Sequence, residues 1–259
     1  MISHINRFRE SLTAGKVCLG TGITLNDPVV VEALAPLVDF FWIDLEHNPI
    51  DLKTLLGHLI AARAGGAPAI VRVPSSDLPF LKRVLDTGAE GIIVPQVRSA
   101  AEVTQVVQAC RYTPLGNRGW GPRRPSDYGR RSQEQIVREA NEQLFVAVQI
   151  ENTDALVELD EIVSIPGIDS LVVGPFDLSC SMNLMGKLDH PDLLESIETI
   201  IRKSHEAGLF VGVGDEALAK RATHWVELGA DWVQCGGDVS YLLNTAEILF
   251  SDIRSSAKK

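Results

Sequence analysis

The sequence predicts an α/β fold, a closed (β/α)8 TIM barrel, and three observations support it. Eight short apolar runs rich in β-branched residues recur along the chain, with helical segments between them. Strands that are apolar on both faces indicate a parallel sheet covered by helices, and a count of eight favours a closed barrel over an open sheet. The length of 259 residues is typical of one such barrel, so we expect a single domain over 1–259.

The elements can be assigned in order from these runs. The predicted strands are 17–22, 40–45, 69–73, 91–95, 145–150, 169–174, 209–214 and 231–235. The predicted helices are 28–37, 51–65, 78–88, 100–111, 155–163, 193–208, 218–229 and 240–256. Four of them end in a glycine that can adopt the left-handed conformation of a helix cap, namely Gly65, Gly88, Gly208 and Gly229. The segment 112–133 interrupts the alternation and is predicted to be an arginine-rich loop.

Charge and composition narrow the class of partner. The formal net charge is −10, whereas nucleic acids and anionic membranes require a basic surface. No segment has the roughly 18 apolar residues of a membrane helix, and the N-terminus has no signal-peptide core, so we expect a cytoplasmic protein. The four cysteines are scattered without CxxC spacing and are expected to be reduced and mostly buried. A small soluble ligand is the expected partner.

Ionisable side chains gather where the predicted strands end, which is where barrel enzymes carry their chemistry. The second strand ends in Asp44 and is followed by Glu46 and His47 within the segment FWIDLEHNP. The third strand contributes an arginine, and the fifth and sixth contribute an amide and two acids. These residues are Arg72, Gln149, Glu151 and Asp177. We therefore expect a polar site at this end of the barrel.

Glu151 and Asp177 follow adjacent strands, so their carboxylates are expected to face each other. Like-charge repulsion between them is relieved by a shared proton or a bound cation. Oxygen ligands favour Mg²⁺ or Mn²⁺ over structural zinc. The alternative is that each carboxylate caps the helix that follows it.

Several motifs occur together in a characteristic order. They are IDLEHNP (43–49), VRVP (71–74), VLDTGAEGIIVPQV (84–97), RYTPLGNRGWG (111–121), VQIEN (148–152) and VVGPFDLS (172–179). With these motifs the chain resembles the HpcH/HpaI family of metal-dependent 2-oxo acid aldolases over about residues 5–255. The resemblance implies a class II aldolase, a carbon–carbon lyase that splits a 4-hydroxy-2-oxo acid reversibly into pyruvate and an aldehyde through an enolate.

The resemblance also implies roles for individual residues. Glu151 and Asp177 are expected to hold a divalent ion (Mg²⁺, Mn²⁺ or Co²⁺), with Arg72 close to the ketone oxygen of pyruvate. His47 is expected to be the acid/base acting through a water molecule, because an imidazole titrates near neutrality.

Further residues are expected to support this site. The resemblance pairs His47 with the carboxylate of Asp86. Three side chains are expected to hold the loop and the metal surroundings, namely Asp44, Glu46 and Gln149. The substrate carboxylate is expected on the backbone near the sixth strand, at Gly174, Pro175, Phe176 and Leu178.

Two features bear on substrate choice. The segment that begins at residue 111 carries six arginines, Arg111, Arg118, Arg123, Arg124, Arg130 and Arg131. They favour either an anionic ligand or a contact with an acidic surface of another subunit. Leu45 and Phe176 depart from the residues usual in the resembled family, so the substrate cannot be carried over with the reaction class.

Other functions stay open at this stage. A class I aldolase needs a Schiff-base lysine, yet no predicted strand ends in lysine. A lyase or thioesterase of the citrate-lyase β type, acting on a CoA ester, would share the metal pair. A barrel that only binds a 2-oxo acid is the non-catalytic alternative. The last helix has a strong apolar face, and the resemblance implies that it is exchanged between subunits of a hexamer built as a trimer of dimers.

Overall fold

Eight parallel strands form a closed barrel in the computed structural model, which describes residues 4–215 and 219–257. The strands are β1 Cys18–Ile23, β2 Phe40–Asp44, β3 Ala69–Arg72, β4 Gly91–Val94, β5 Phe145–Ile150, β6 Ser170–Val173, β7 Phe210–Asp215 and β8 Trp232–Gly237. Each strand pairs with the next along the chain, and β8 pairs with β1. The predicted (β/α)8 barrel is therefore confirmed, with strand bounds within a few residues of those expected.

The helices surround the barrel. They are α1 His4–Thr13, α2 Val29–Leu34 with a 3-10 turn at Ala35–Leu37, α3 Leu52–Gly65, α4 Leu78–Thr87, α5 Ala100–Cys110, α6 Gln133–Glu142, α7 Thr153–Val157, α8 Leu159–Val163, α9 Pro175–Ser181, α10 Pro191–Glu206, α11 Ala219–Glu227 and α12 Asp238–Ser256. The predicted helix at 155–163 is two short helices, α7 and α8, that meet at Glu158. The predicted start of the helix at 218–229, Leu218, lies outside the described residues.

Three of the four expected glycine caps have a positive φ, and one expectation was wrong. Gly88, Gly208 and Gly229 have φ values of 96°, 76° and 110°. Gly65 instead belongs to α3, and Gly66 caps this helix with φ 81° and an amide that donates to Ala62 and Arg63. Gly65 is needed for packing, because a Cβ there would lie 2.3 Å from Cβ of Ala35.

An aromatic cluster fills the N-terminal half of the barrel. Phe8 from α1 stands edge-on to Phe40 and Phe145, with ring centroids 5.3 and 5.4 Å apart. Trp232 packs against the same rings and is fully buried. Helix α1 thus closes this end of the barrel, so the polar residues are left to the opposite end.

The last helix, α12, begins at the mouth of the barrel and leaves its apolar side chains uncovered. Asp238 accepts hydrogen bonds from the amides of Thr24 and Leu25, which ties the start of the helix to the loop after β1. Six large apolar residues are at least half exposed, namely Leu242, Leu243, Ile248, Leu249, Phe250 and Ile253. Among the described residues, no helix is both long enough and apolar enough to span a bilayer.

Candidate active site at the carboxyl end of the barrel

Asp44 and Arg72 end neighbouring strands and form the first part of the site. They are paired in register across β2 and β3, and Nε of Arg72 donates to Oδ1 of Asp44 at 2.8 Å. Nη1 of Arg72 lies 3.2 Å from Oε2 of Glu46, and the guanidinium carbon lies 5.3 Å from the ring centroid of Trp42. Two acids and an aromatic face thus fix one cation at the mouth of the barrel.

The loop that carries His47 is held by the same aspartate. The Asn48 side chain donates to Oδ2 of Asp44 at 2.7 Å, and the Glu46 amide donates to Oδ1 at 3.1 Å. The His47 side chain is 62% exposed, and its Nε2 lies 3.4 Å from Oε2 of Glu46. The imidazole is therefore open to a ligand on one side and close to a carboxylate on the other.

The pKa values of Asp44 and Glu46 shift in opposite directions. Burial raises the pKa of Asp44, but the hydrogen bond and the charge of Arg72 outweigh it, so the pKa is lowered. For Glu46, burial is the largest effect and raises the pKa, although Arg72 and His47 oppose it. Asp44 is therefore the permanent counter-ion of Arg72.

Glu151 is a buried carboxylate at the end of β5. It is 2% exposed, its Oε1 accepts from the Gln96 amide at 2.7 Å and its Oε2 accepts from the Gln149 side chain at 2.5 Å. Burial raises the pKa of Glu151 to about 8, against the Gln96 hydrogen bond and with the help of Asp177 and Glu46. Asn152, rather than Glu151, caps α7, so the capping alternative was wrong for Glu151.

Asp177 lies in the first turn of α9, directly after β6. Gly174 is the N-terminal cap residue of this helix and has no side chain with which to cap it. A Cβ at Gly174 would lie 2.6 Å from Oε2 of Glu151 and 2.7 Å from Nε2 of Gln149, so only glycine leaves room for both. No side chain caps α9, so the capping alternative was wrong for Asp177 as well. Its exposed carboxylate is close enough to Glu151 and Glu46 to raise the pKa values of both.

The backbone donors near α9 differ from those expected. The Leu178 amide donates to Gly174 at 2.9 Å, the Gly174 amide donates to Ile150 at 3.5 Å, and Pro175 has no N–H. The amides of Gly174 and Leu178 could therefore hold a substrate carboxylate only by giving up these hydrogen bonds, and Pro175 cannot donate at all. The amides of Phe176 and Asp177 have no acceptor within the described residues and are the free donors here.

Asp86 does not lie where the resemblance implied. It belongs to α4, and its two oxygens pair with Lys82 at 3.0 Å and with Arg118 at 3.3 Å. Within residues 4–215 and 219–257, Asp86 makes no ion pair with His47, which pairs with Glu46 instead. The expected pair was therefore wrong for a single chain, because α4 carries Asp86 toward the arginine-rich segment.

Two residues that shape the site at the mouth, Gln96 and Asn48, were not predicted from the sequence. Gln96 has a positive φ of 57° and turns its amide toward Glu151. Asn48 anchors the loop of His47 on Asp44. Gln96 directly follows the fourth predicted strand, 91–95, so applying the strand-end rule to that strand would have found it.

Leu45 and Phe176, which depart from the residues usual in the resembled family, lie in different environments. Leu45 is 5% exposed and belongs to the apolar core between the barrel and its helices, so its side chain is not available to a ligand at the mouth. Phe176 is 54% exposed beside Asp177. Phe176 is therefore the departure that bears on a ligand.

No cluster of three metal-ligating side chains exists among the described residues. The carboxylates of Glu151 and Asp177 are the available pair, with Glu46 as a further acid nearby, as its effect on the pKa of Glu151 shows. A cation held by two carboxylates keeps other positions for water and ligand, as Mg²⁺ sites usually do.

A closed eight-stranded barrel with acids, an arginine and a histidine at its carboxyl end is a barrel enzyme by fold and by site. Residues 24–245 match the family model described as HpcH/HpaI aldolase/citrate lyase. The chain belongs to this family, and it is a carbon–carbon lyase of the aldolase type.

Similar proteins agree with this assignment. A hydroxypyruvate/pyruvate aldolase of Pseudomonas aeruginosa is 35% identical over 257 residues, which cover 98% of this chain and 94% of the relative. A 4-hydroxy-2-oxo-heptane-1,7-dioate aldolase of Shigella flexneri is also 35% identical over 257 residues, covering 97% and 94%. The crystal structure of an HpcH/HpaI aldolase from Desulfitobacterium hafniense DCB-2 superposes with a TM-score of 0.88 at 31% identity, covering 95% and 96%.

Proposed function

We propose that this lyase is a divalent-metal-dependent aldolase that cleaves a 4-hydroxy-2-oxo acid reversibly into pyruvate and an aldehyde. The observation that carries the proposal is the buried carboxylate of Glu151, whose pKa burial raises to about 8 at a mouth that also contains Asp177 and Arg72. A buried acid beside a second acid is stabilised in its charged form by a cation.

The donor set fits Mg²⁺, Mn²⁺ or Co²⁺. Glu151 and Asp177 would be the protein ligands, and Gln149 holds Oε2 of Glu151 in place. A divalent ion there would supply positive charge next to the ketone oxygen and so stabilise the enolate through which cleavage and condensation both pass.

The side chain of Arg72 adds a fixed positive charge for the same oxygen. Nε is occupied by Asp44 and Nη1 faces Glu46, so Nη2 is the guanidinium nitrogen without an ion-pair partner in the described chain. Because the two acids fix its orientation before a substrate arrives, the guanidinium needs little reorganisation during the reaction.

His47 would carry the proton of the 4-hydroxyl group. Its exposed ring can reach a bound substrate or an intervening water, and Glu46 can stabilise the imidazolium that forms. In the cleavage direction the hydroxyl loses its proton to this base as the carbon–carbon bond breaks. In the reverse direction the imidazolium returns the proton to the new alkoxide.

The substrate carboxylate would accept hydrogen bonds from the free amides of Phe176 and Asp177. Both amides lie at the start of α9, where the peptide dipoles also favour an anion. The phenyl ring of Phe176 would then stand at the rim through which the aldehyde part enters.

We further propose that the chain acts in the cytoplasm as a homo-oligomer, a hexamer built as a trimer of dimers with α12 exchanged between copies. The support is the set of six large apolar side chains on α12 that are at least half exposed, because clustered exposed apolar residues often mark a contact with another protein. In such an assembly Asp86 could pair with His47 of a neighbouring copy, although it does not reach His47 of its own chain.

Exchange of the methyl protons of pyruvate in D₂O tests the proposal without knowledge of the aldehyde. We expect exchange, followed by NMR, that requires Mg²⁺, Mn²⁺ or Co²⁺ and stops when EDTA is added. Asp177→Ala is expected to abolish exchange, whereas Asp160→Ala, which removes an exposed aspartate on α8, is expected to leave it intact. Full exchange in a metal-free sample would contradict the proposal, and borohydride trapping with pyruvate would instead indicate a Schiff-base lysine.

A further inference from the structure

We infer that a second small-molecule site lies away from the mouth, in a cavity between the end of α4, the arginine-rich segment 112–133 and α6. The cavity has a volume of about 90 Å³. Its wall includes Glu90 and Leu144, which immediately precede β4 and β5, so it opens beside the N-terminal end of the barrel. The ligand that fits it is a small carboxylate with a short apolar body.

The first argument is a buried cation without an acidic partner. Arg124 lines the cavity and is 8% exposed. Its guanidinium donates only to backbone carbonyls, those of Leu59 at 3.1 Å and Gly88 at 3.3 Å. No carboxylate lies within ion-pair distance of it in the part of the chain that the structure describes, and a buried charge in that situation is stabilised by an anion.

The second argument is a pair of buried polar atoms that have no hydrogen-bond partner. Nε of Arg118 and the hydroxyl of Tyr112 are both unpartnered among the described residues, and both side chains line the cavity. The Arg118 side chain is 4% exposed and stacks 4.8 Å from the ring centroid of Tyr112. Such donors are rare in folded proteins, and an acceptor in the cavity would satisfy them.

The other charged residues of the wall are already engaged. Arg131 pairs with Glu139, and Oε2 of Glu90 accepts hydrogen bonds from the amides of His4 and Ile5. Arg118 uses one nitrogen, Nη2, on Asp86. Arg124 and Nε of Arg118 are therefore the groups of the wall that are left to recognise an anion.

The apolar part of the cavity wall indicates the size and polarity of the rest of the ligand. Ile5, Leu85, Ile136 and Leu144 are apolar and line most of the space. A cavity of about 90 Å³ is smaller than the roughly 150 Å³ apolar cavity that holds a benzene ring, so its ligand has at most about six non-hydrogen atoms. A short-chain carboxylate meets both requirements, whereas inorganic phosphate would leave the apolar side chains without contacts.

Occupancy of this site is connected to Asp86. Arg118 would donate from Nε to the ligand, and its Nη2 already contacts Asp86. One guanidinium would therefore connect the ligand to Asp86. The inference concerns binding and does not depend on the proposed aldolase reaction. Binding of a carboxylate to this cavity can be measured whether or not pyruvate protons exchange.

Butanoate, a carboxylate of six non-hydrogen atoms without the 2-oxo group, is a suitable probe. We expect saturating butanoate to raise the Tm of the full chain in Mg²⁺ by about 3 °C, and equilibrium dialysis to give a Kd for wild type. Arg124→Met is expected to weaken the Kd at least about tenfold by removing the cation. Arg123→Met, which removes the exposed neighbouring arginine, is the matched control and is expected to bind as wild type does.

A second variant keeps the test valid if Arg124→Met folds poorly. Ala140→Leu enlarges a wall residue and is expected to abolish butanoate binding by filling the cavity while every arginine stays in place. Butanoate that binds equally to wild type and to Ala140→Leu lies elsewhere and overturns the inference. No Tm shift in wild type, or a larger shift with inorganic phosphate than with butanoate, overturns it as well.

Discussion

Arg72 donates from Nε to Oδ1 of Asp44 at 2.8 Å while its Nη1 lies 3.2 Å from Oε2 of Glu46. Two acids that are two residues apart therefore hold one guanidinium from two directions. The pairing of β2 with β3 brings Asp44 level with Arg72, so the barrel itself sets this geometry. A planar group with several donors is required, and an ammonium cannot replace it.

Arg72→Lys should therefore lower pyruvate proton exchange by about a hundredfold or more, although the charge is kept. Lysine offers one point charge and cannot contact Asp44 and Glu46 while also reaching a substrate oxygen. The matched control is Arg98→Lys, which changes an exposed arginine paired with Asp154. Exchange within twofold of wild type in Arg72→Lys would refute the role assigned to Arg72.

Glu151→Gln should fold, because its amide oxygen can still accept from the Gln96 amide and its NH2 can donate to Oε1 of Gln149 once that amide turns over. It should nevertheless lose metal-dependent exchange. The buried site then lacks one of its two negative ligands, so Mn²⁺ affinity measured by electron paramagnetic resonance is expected to fall at least about tenfold. Glu142→Gln, an exposed glutamate on α6, is the control for the loss of one negative charge. Unchanged Mn²⁺ binding in Glu151→Gln would contradict the ligand assignment.

The fold and the location of the site could be predicted because both follow from periodicity. Eight apolar strands define the barrel, and the strand-end rule places Asp44, Arg72 and Glu151 at one mouth. Helix α1 was missed although Ile5, Phe8 and Leu12 have helical spacing, since a barrel pattern needs no helix before its first strand. Helix α6 was missed because it buries a single residue, Ile136, and so has little apolar periodicity.

Contacts between distant loops could not be predicted. Nothing in the sequence indicates that Asp86 meets Arg118, because that contact depends on how the segment 112–133 folds back on α4. The free amides of Phe176 and Asp177 depend on which donors the short helix α9 uses internally, a matter of one or two residues.

Phe176→Ala should change the preference among aldehydes and leave pyruvate chemistry intact. The phenyl ring is 54% exposed at the rim, whereas the neighbouring amides belong to the backbone and persist in the variant. We expect kcat/KM for apolar aldehydes to fall relative to that for small polar ones, with proton exchange within about threefold of wild type, since apolar contacts contribute about 1–3 kcal/mol to selectivity. Met185→Ala, another exposed apolar residue of this region, is the control. An unchanged aldehyde profile would remove Phe176 from the specificity determinants.

The apolar surface of α12 predicts an effect on assembly. Leu243→Glu with Leu249→Glu places charges among side chains that are 58% and 53% exposed in the single chain. If other copies cover this surface, each buried charge costs several kcal/mol and the particle should dissociate, as measured by analytical ultracentrifugation. Asn244→Glu, on the polar side of the same helix, is expected to leave the assembly unchanged. A wild-type chain that sediments as a monomer would contradict the proposed oligomer.

His58 predicts how stability depends on pH. This histidine is 0% exposed on α3, and neither of its ring nitrogens has a hydrogen-bond partner of good geometry among the described residues. Burial lowers the pKa of His58 below its ordinary value of 6.5.

The unfolded chain therefore binds more protons at this residue than the folded chain does as the pH falls below 6.5. The free energy of unfolding should decrease in that range, by up to about 1.4 kcal/mol per pH unit while the folded imidazole stays neutral. Above the unfolded pKa both states are neutral, and His58 contributes no slope. His58→Leu should remove this part of the pH dependence, so urea unfolding at about pH 5.5 and about pH 7.5 should differ less in the variant than in wild type. Equal differences in the two proteins would show that His58 can be protonated in the folded state at little cost.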